Sequence, residues 1–150
     1  MKAANFKDRM PKSIKGVQSQ GHDIPTKFDP LLAGRAVVDG LKYLQARLVW
    51  SGRKIANILH LPPNTVNTWL NKGTVYIERP TLPPNIQIII HLLAIHRSLE
   101  AMFENPAHQK AWLSTYHPEL NTIPEERMSE SIEGLIFIRQ YLDYIRGRGA

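Results

Sequence analysis

The sequence predicts an all-α protein, and three observations carry that expectation. Apolar residues recur at three- and four-residue spacing in several separate stretches, the period of a helix with one buried face. Proline stands where such stretches begin, at Pro30, Pro63, Pro84, Pro106 and Pro124. The first helical turn is the one place in a helix where its missing N–H leaves nothing unpaired. After Gly73 the run TVYIERPTLPPN starts with β-branched residues and carries Pro80, Pro83 and Pro84, so it reads as a stiff connector rather than a helix.

Taken in order, residues 1–30 hold six basic and three acidic residues, few aliphatics and no periodicity, and read as a mobile basic arm. Lys2, Lys7, Arg9, Lys12 and Lys15 are its phosphate candidates. Pro30 opens a helix to about Trp50, with Leu31, Leu32, Val37, Val38, Leu41, Leu44 and Leu48 as a wide apolar face. The stretch SGRKIANILHLPPNTVNTWLNKG, Ser51 to Gly73, then organises the chain. Ile55, Ala56 and Leu59 share one face of a short helix, and Val66, Trp69 and Leu70 share one face of the next. Leu61 plugs the turn between them, Ala56 is small where two helices cross, and Gly73 suits a left-handed C-cap.

That is the layout of a helix-turn-helix, whose second helix lies in a DNA major groove. Its open side carries Asn64, Thr65, Asn67, Thr68, Asn71 and Lys72. Asn reads adenine through paired hydrogen bonds and Thr touches the thymine methyl. Arg53 and Lys54, at the start of the first helix, are phosphate candidates. Residues 31–79, the expected DNA-binding domain, hold seven basic residues against two acidic ones, whereas residues 80–150 hold six against eight. The net charge of +6 is therefore concentrated in the half that contains the motif, which suits a polyanionic partner.

Beyond the connector, Pro84 to Phe103 reads as a long helix that is apolar on more than one side. Ile86, Ile89, Ile90, Leu93, Ile95, Leu99 and Met102 fit a central or dimerising helix over 80–103. Asn105-Pro106 starts a further helix that ends near Trp112-Leu113, and a loop runs from Ser114 to Ile123. Pro124 with Glu125 and Glu126 starts another, since acids favour the first turn. The last helix, about Ser131 to Arg146, carries two stripes. One is Leu135, Ile138, Leu142 and Ile145; the other is Phe137, Tyr141 and Tyr144. Two apolar faces at a chain end call for a second burying surface, from this chain or from a partner.

The first motif resembles the Xre-like repressor helix-turn-helix at Ala56, Leu59, Leu61, Val66, Trp69 and Gly73. It departs where His60 replaces a turn glycine and Pro62 replaces a Ser or Thr N-cap. The run AWLSTYHPELNTIPEERMSESIEGLIFIRQYLDYIRGRGA resembles the toxin-binding domain of Xre/MbcA/ParS antitoxins, through Trp112-Leu113, Leu120, Pro124, Met128, Gly134, Leu142, Ile145 and the terminal glycines. The glycine expected before Pro124 is absent. The resemblance implies a toxin-binding domain over 104–150 of an antitoxin from a type II toxin–antitoxin pair. The usual partner is a RES-domain toxin that depletes NAD, and the helix-turn-helix represses the shared operon. Under that implication Phe137, Tyr141 and Tyr144, with Arg146, Gly147 and Arg148 on a flexible glycine-rich end, cover the toxin cleft, and guanidiniums suit phosphates or carboxylates there.

Other chemistry finds no support in the sequence. The chain has no cysteine, no HExxH, no P-loop and no GxSxG. His91 and His96 sit on different helix faces, and the adjacent Glu125 and Glu126 point apart, so neither a metal nor an acid–base pair is expected. No cofactor and no enzyme activity are expected. The N-terminus lacks an apolar signal segment, and the run Ile86 to Ile95 is too short to cross a membrane, so a cytoplasmic chain is expected. Operator DNA, a cognate toxin and a second copy of the chain are the expected partners. Two rival readings are a helix-turn-helix regulator whose C-terminal half senses a ligand or only dimerises, and an interaction adaptor that no longer binds DNA.

Overall fold

Local signals set the helix boundaries. The computed structural model describes residues 29–78 and 82–148, so the expected basic arm, apart from its last two residues, lies outside the described part. Among the described residues the fold is all-helical, with seven helices: α1 (Pro30–Leu48), α2 (Gly52–Leu59), α3 (Pro63–Lys72), α4 (Pro84–Met102), α5 (Pro106–Ser114), α6 (Pro124–Glu130) and α7 (Ile132–Arg148). The Asp29 carboxylate caps α1 by accepting from Leu31 and Leu32 N–H at 2.9 and 3.2 Å. Ser51 Oγ caps α2 through Lys54 N–H, and the Asn105 side chain caps α5 through Ala107 N–H. Each satisfies an amide that the helix itself leaves open.

One hydrophobic core runs through all of them. Helix α4 packs on α1, α2 and α7, and α6 packs on α2, α5 and α7. Ile86, Ile89, Leu92, Ile95 and Leu99 are buried along α4, which explains its apolar breadth: its own chain covers it on several sides. The core therefore passes without interruption from α2 and α3 into the C-terminal helices. Between α4 and α5 the chain turns by 119°, and no single helix among the described residues is long and apolar enough to cross a membrane.

Two glycines mark close backbone approaches. A β-carbon on Gly34 would lie 1.5 Å from the Val75 carbonyl oxygen, and one on Gly134 would lie 2.0 Å from that of Arg127. The first lets the segment after α3 lie flat on α1, and the second lets α7 turn tightly off α6.

The structure corrects three expectations. Leu31 and Leu32 are 53% and 58% exposed, so the packed face of α1 begins further along, at Gly34 and Val38. Helix α1 stops at Leu48 because Val49 takes the left-handed region at φ 55° and returns the chain so that Trp50 is buried. Helix α7 runs through Arg148, so residues 146–148 are helical and not a flexible end.

Candidate functional site

Two solvent-facing surfaces gather most of the residues singled out in the sequence. The first is α3. Ile55, Ala56, Ile58 and Leu59 of α2 and Val66 and Trp69 of α3 are buried in the angle between the two helices, with Leu61 half-buried in the turn. Placing Val66 and Trp69 inward leaves Asn64, Asn67, Thr68, Asn71 and Lys72 exposed, and Thr65 half-buried. Thr68 Oγ1 donates to its own helix at the Asn64 carbonyl, 2.8 Å away, so that hydroxyl is partly satisfied. Asn67 leans on the start of α2: a β-carbon on Gly52 would meet its Oδ1 at 2.7 Å.

The turn explains the missing glycine. His60 adopts φ 57°, ψ 38°, a left-handed conformation in which His is enriched among non-glycine residues. Its Nε2–H donates to the Met128 carbonyl oxygen at 3.0 Å, a tie to α6 that glycine has no side chain to make. Pro62 leaves α3 without a side-chain cap, and Pro63 occupies the first turn. The N-terminus of α3 thus keeps an open amide, as an anion-facing helix end would.

The phosphate candidates separate. Arg53 is exposed. Lys54 departs from expectation, because its ammonium pairs with Glu125 Oε2 and lies 5.6 Å from the Trp50 ring centroid. With the ammonium taken by a carboxylate, it is a link to α6 rather than a free cation.

The second surface is α7. Leu135, Ile138 and Leu142 are fully buried, each contributing about 1.5–3 kcal/mol of apolar burial, and Ile145 is half-buried. The other stripe stays largely outside: Phe137 is 40% and Tyr144 59% exposed. Tyr141 is intermediate. It packs at the core edge with its hydroxyl 3.5 Å from Glu119, and burial followed by that carboxylate raises its pKa above the ordinary tyrosine value. Arg127 lies 5.5 Å from the Phe137 ring centroid, and Arg148 lies 5.5 Å from that of Tyr144. A cleft of about 320 Å³ opens beside Phe137, lined by Leu120, Asn121, Thr122, Arg127 and Glu130. Asn121 supplies the positive φ, 51°, that lets the loop fold into its His117–Thr122 bridge without a glycine before Pro124. Arg146 is tied back to α4, donating to Ser98 Oγ at 3.1 Å, and Gly147 has open space where a side chain would stand.

Sequence reasoning gave Arg127 no role, and it named Glu125 and Met128 without their ties to Lys54 and His60, which stand 71 and 68 residues away in the chain. A partly buried polar cluster joins α1 and α4. Tyr43 donates to Glu100, and His96, 3% exposed, stands edge-on to Tyr43 with Nδ1 4.0 Å from Glu100. Burial lowers the His96 pKa and outweighs the attraction of Glu100. Burial and then Arg139 lower that of His91, whose Nδ1 accepts from the Arg139 guanidinium. Among the described residues no group of three His, Asp or Glu side chains is placed to hold a metal ion.

Comparison with known proteins falls on the second surface. No curated protein matches the chain. Residues 98–148, from the last turns of α4 to the end of α7, match the family model of the antitoxin Xre/MbcA/ParS C-terminal toxin-binding domain. The C-terminal segment of this chain is similar to a domain that docks on a toxin.

Proposed function

We propose that this chain is a non-catalytic antitoxin of a type II toxin–antitoxin pair. It occludes its toxin with the outer face of α7 and represses its own operon with the outer face of α3. The observation that carries this reading is the exposed aromatic stripe, Phe137 and Tyr144 with Arg127 and Arg148 against their rings, inside the segment similar to a toxin-binding domain. Aromatic and arginine side chains dominate the binding energy of protein interfaces. The toxin proposed is of the RES type, which consumes NAD, and the compartment proposed is the cytoplasm. The bare Asn- and Thr-rich side of α3 supports operator binding. A homodimer presents two such helices to paired half-sites. The strip of α4 left uncovered, Ile90 with Arg97 and the half-buried Leu93, is the proposed contact between copies.

The test is co-expression with the product of the adjacent reading frame, followed by affinity purification and an NAD-consumption assay. The expected result is a stable complex with the NAD loss suppressed. Failure of the wild-type chain to retain that protein sinks the antitoxin reading. Truncation at 141 is a poor test, because Leu142 is fully buried and its loss opens the core.

A further inference from the structure

We infer that the segment after α3 is a second DNA contact element, with Tyr76 seated on the sugar–phosphate backbone beside the recognition helix. The inference rests on the proposed reading of α3 as the DNA-facing helix and adds what holds the backbone at its C-terminal end. Tyr76 is 63% exposed, yet the chain that carries it is clamped. Thr74 Oγ1 donates to the Leu31 carbonyl at 3.0 Å, Val75 lies so close to α1 that only glycine fits at position 34, and Ile77 is 1% exposed. An exposed aromatic ring on a backbone fixed at both neighbours has already lost most of the freedom that binding would remove. Its hydroxyl makes no hydrogen bond among the described residues.

A cleft of about 290 Å³ joins this segment to α3. Leu31, Trp69, Val75 and Tyr76 supply apolar wall, and Thr68 and Lys72 supply polar rim. Thr68 and Lys72 belong to the outer face of α3, so the cleft is continuous with the proposed base-reading surface. Exposed charge near the cleft is mixed, with Arg35, Lys42 and Lys72 against Asp29 at the start of α1 and Glu78 two residues beyond Tyr76. Arg35 stands one turn beyond Leu31, and the Lys42 ammonium lies 3.7 Å from where a β-carbon of Gly73 would be, at the end of α3. An apolar wall with a phenol, and lysines at the α3 side of the cleft, fits deoxyribose and phosphate alternating along one strand. In this arrangement the Tyr76 ring covers a sugar, its O–H donates to a phosphate oxygen, and Lys72 and Lys42 neutralise the phosphates on either side.

The test is fluorescence anisotropy of the full chain with two labelled duplexes across a salt series. One duplex carries the sequence upstream of this reading frame, and the other is its scrambled counterpart. Tyr76→Ala is expected to weaken both about tenfold, the loss of one well-seated aromatic contact, with the salt slope unchanged. Tyr76→Phe keeps part of that affinity. Lys42→Ala lowers the slope by about 0.9. Equal binding of Tyr76→Ala and wild type to both duplexes overturns the inference. So does a change in oligomeric state on light scattering with DNA affinity intact, which assigns the cleft to a second copy. If wild type shows no salt-dependent binding, the DNA reading of α3 falls and this element falls with it. If Asn67→Ala/Asn71→Ala loses preference for the upstream duplex while Tyr76→Ala behaves as wild type, only the present inference fails. Circular dichroism of each variant confirms that the helices are retained.

Discussion

The outer faces of α3 and α7 have opposite chemistry on similar scaffolds. Both helices bury one apolar stripe, Val66 and Trp69 in the first, Leu135, Ile138 and Leu142 in the second. Helix α3 shows solvent four uncharged polar residues and one lysine, all compatible with staying hydrated until a partner arrives. Helix α7 shows aromatic rings covered in part by guanidiniums. The contrast teaches how an exposed aromatic face can be screened from water without being buried. A polar face needs no protection, and an aromatic face is screened by arginines that a partner's carboxylates can draw off.

The largest test of the contrast asks whether the two faces belong to separable units. Gly34→Ala drives a methyl group into backbone next to α3, and Gly134→Ala does the same next to α7. Each is expected to cost about 3 kcal/mol or more, since backbone on both sides must shift. Because the core is continuous, each variant should still unfold in one urea transition, reported alike by Trp50 and Trp69 in front and Trp112 behind. Two separated transitions would divide the molecule.

A smaller effect separates the faces functionally. Phe137→Ala/Tyr144→Ala is expected to lose about 2–4 kcal/mol of toxin affinity with operator binding intact. Asn67→Ala/Asn71→Ala should lose about 1–3 kcal/mol of operator preference with toxin binding intact. Calorimetry with the toxin and gel shifts on the operator read the two losses, and a variant that damages both breaks the division of labour.

The next test uses pH against the histidines of α4. His96 and His91 have folded pKa values lowered from the ordinary 6.5 by burial, so the unfolded chain takes up protons first as the solution is acidified. Their neutral-state stability is intact above about pH 6.5 and is lost as pH falls from there towards the folded values. Urea midpoints should drop as pH falls below about 6.5, and His96→Gln should flatten that drop. The smallest effect is a gain. Val49 is β-branched, left-handed and 74% exposed. Val49→Asn should raise stability by about 1 kcal/mol, read from the thermal midpoint, and leave both faces unchanged.

Much of this fold was legible because the signals are local. Prolines at 30, 63, 84, 106 and 124 each sit in the first turn of a helix, and the stripe Leu135, Ile138, Leu142 faces inward as its spacing implied. What stayed hidden depends on distant partners. His60 looked like a defect in the turn until Met128, 68 residues on, supplied a hydrogen-bond acceptor, and Lys54 looked free until Glu125, 71 residues on, met it. Leu31 and Leu32 share the helical period of buried residues yet remain exposed. Periodicity identifies an apolar face without saying how far along the helix it is covered. The C-terminal arginines looked mobile because glycine is a poor helix former, but α7 was already nucleated by its packed stripe and carries on through Gly147.

Helix α6 is only seven residues long, and both surfaces lean on it. On one flank Met128 and Glu125 hold His60 and Lys54; on the other Arg127 and Glu130 wall the cleft beside Phe137. A toxin that tilted this short rod on arrival would pull on the turn that aims α3. The operator would then resist the toxin by the same factor with which the toxin disfavours the operator, since linked equilibria are reciprocal. Repression would in that case report how much toxin is in the cell without any further component.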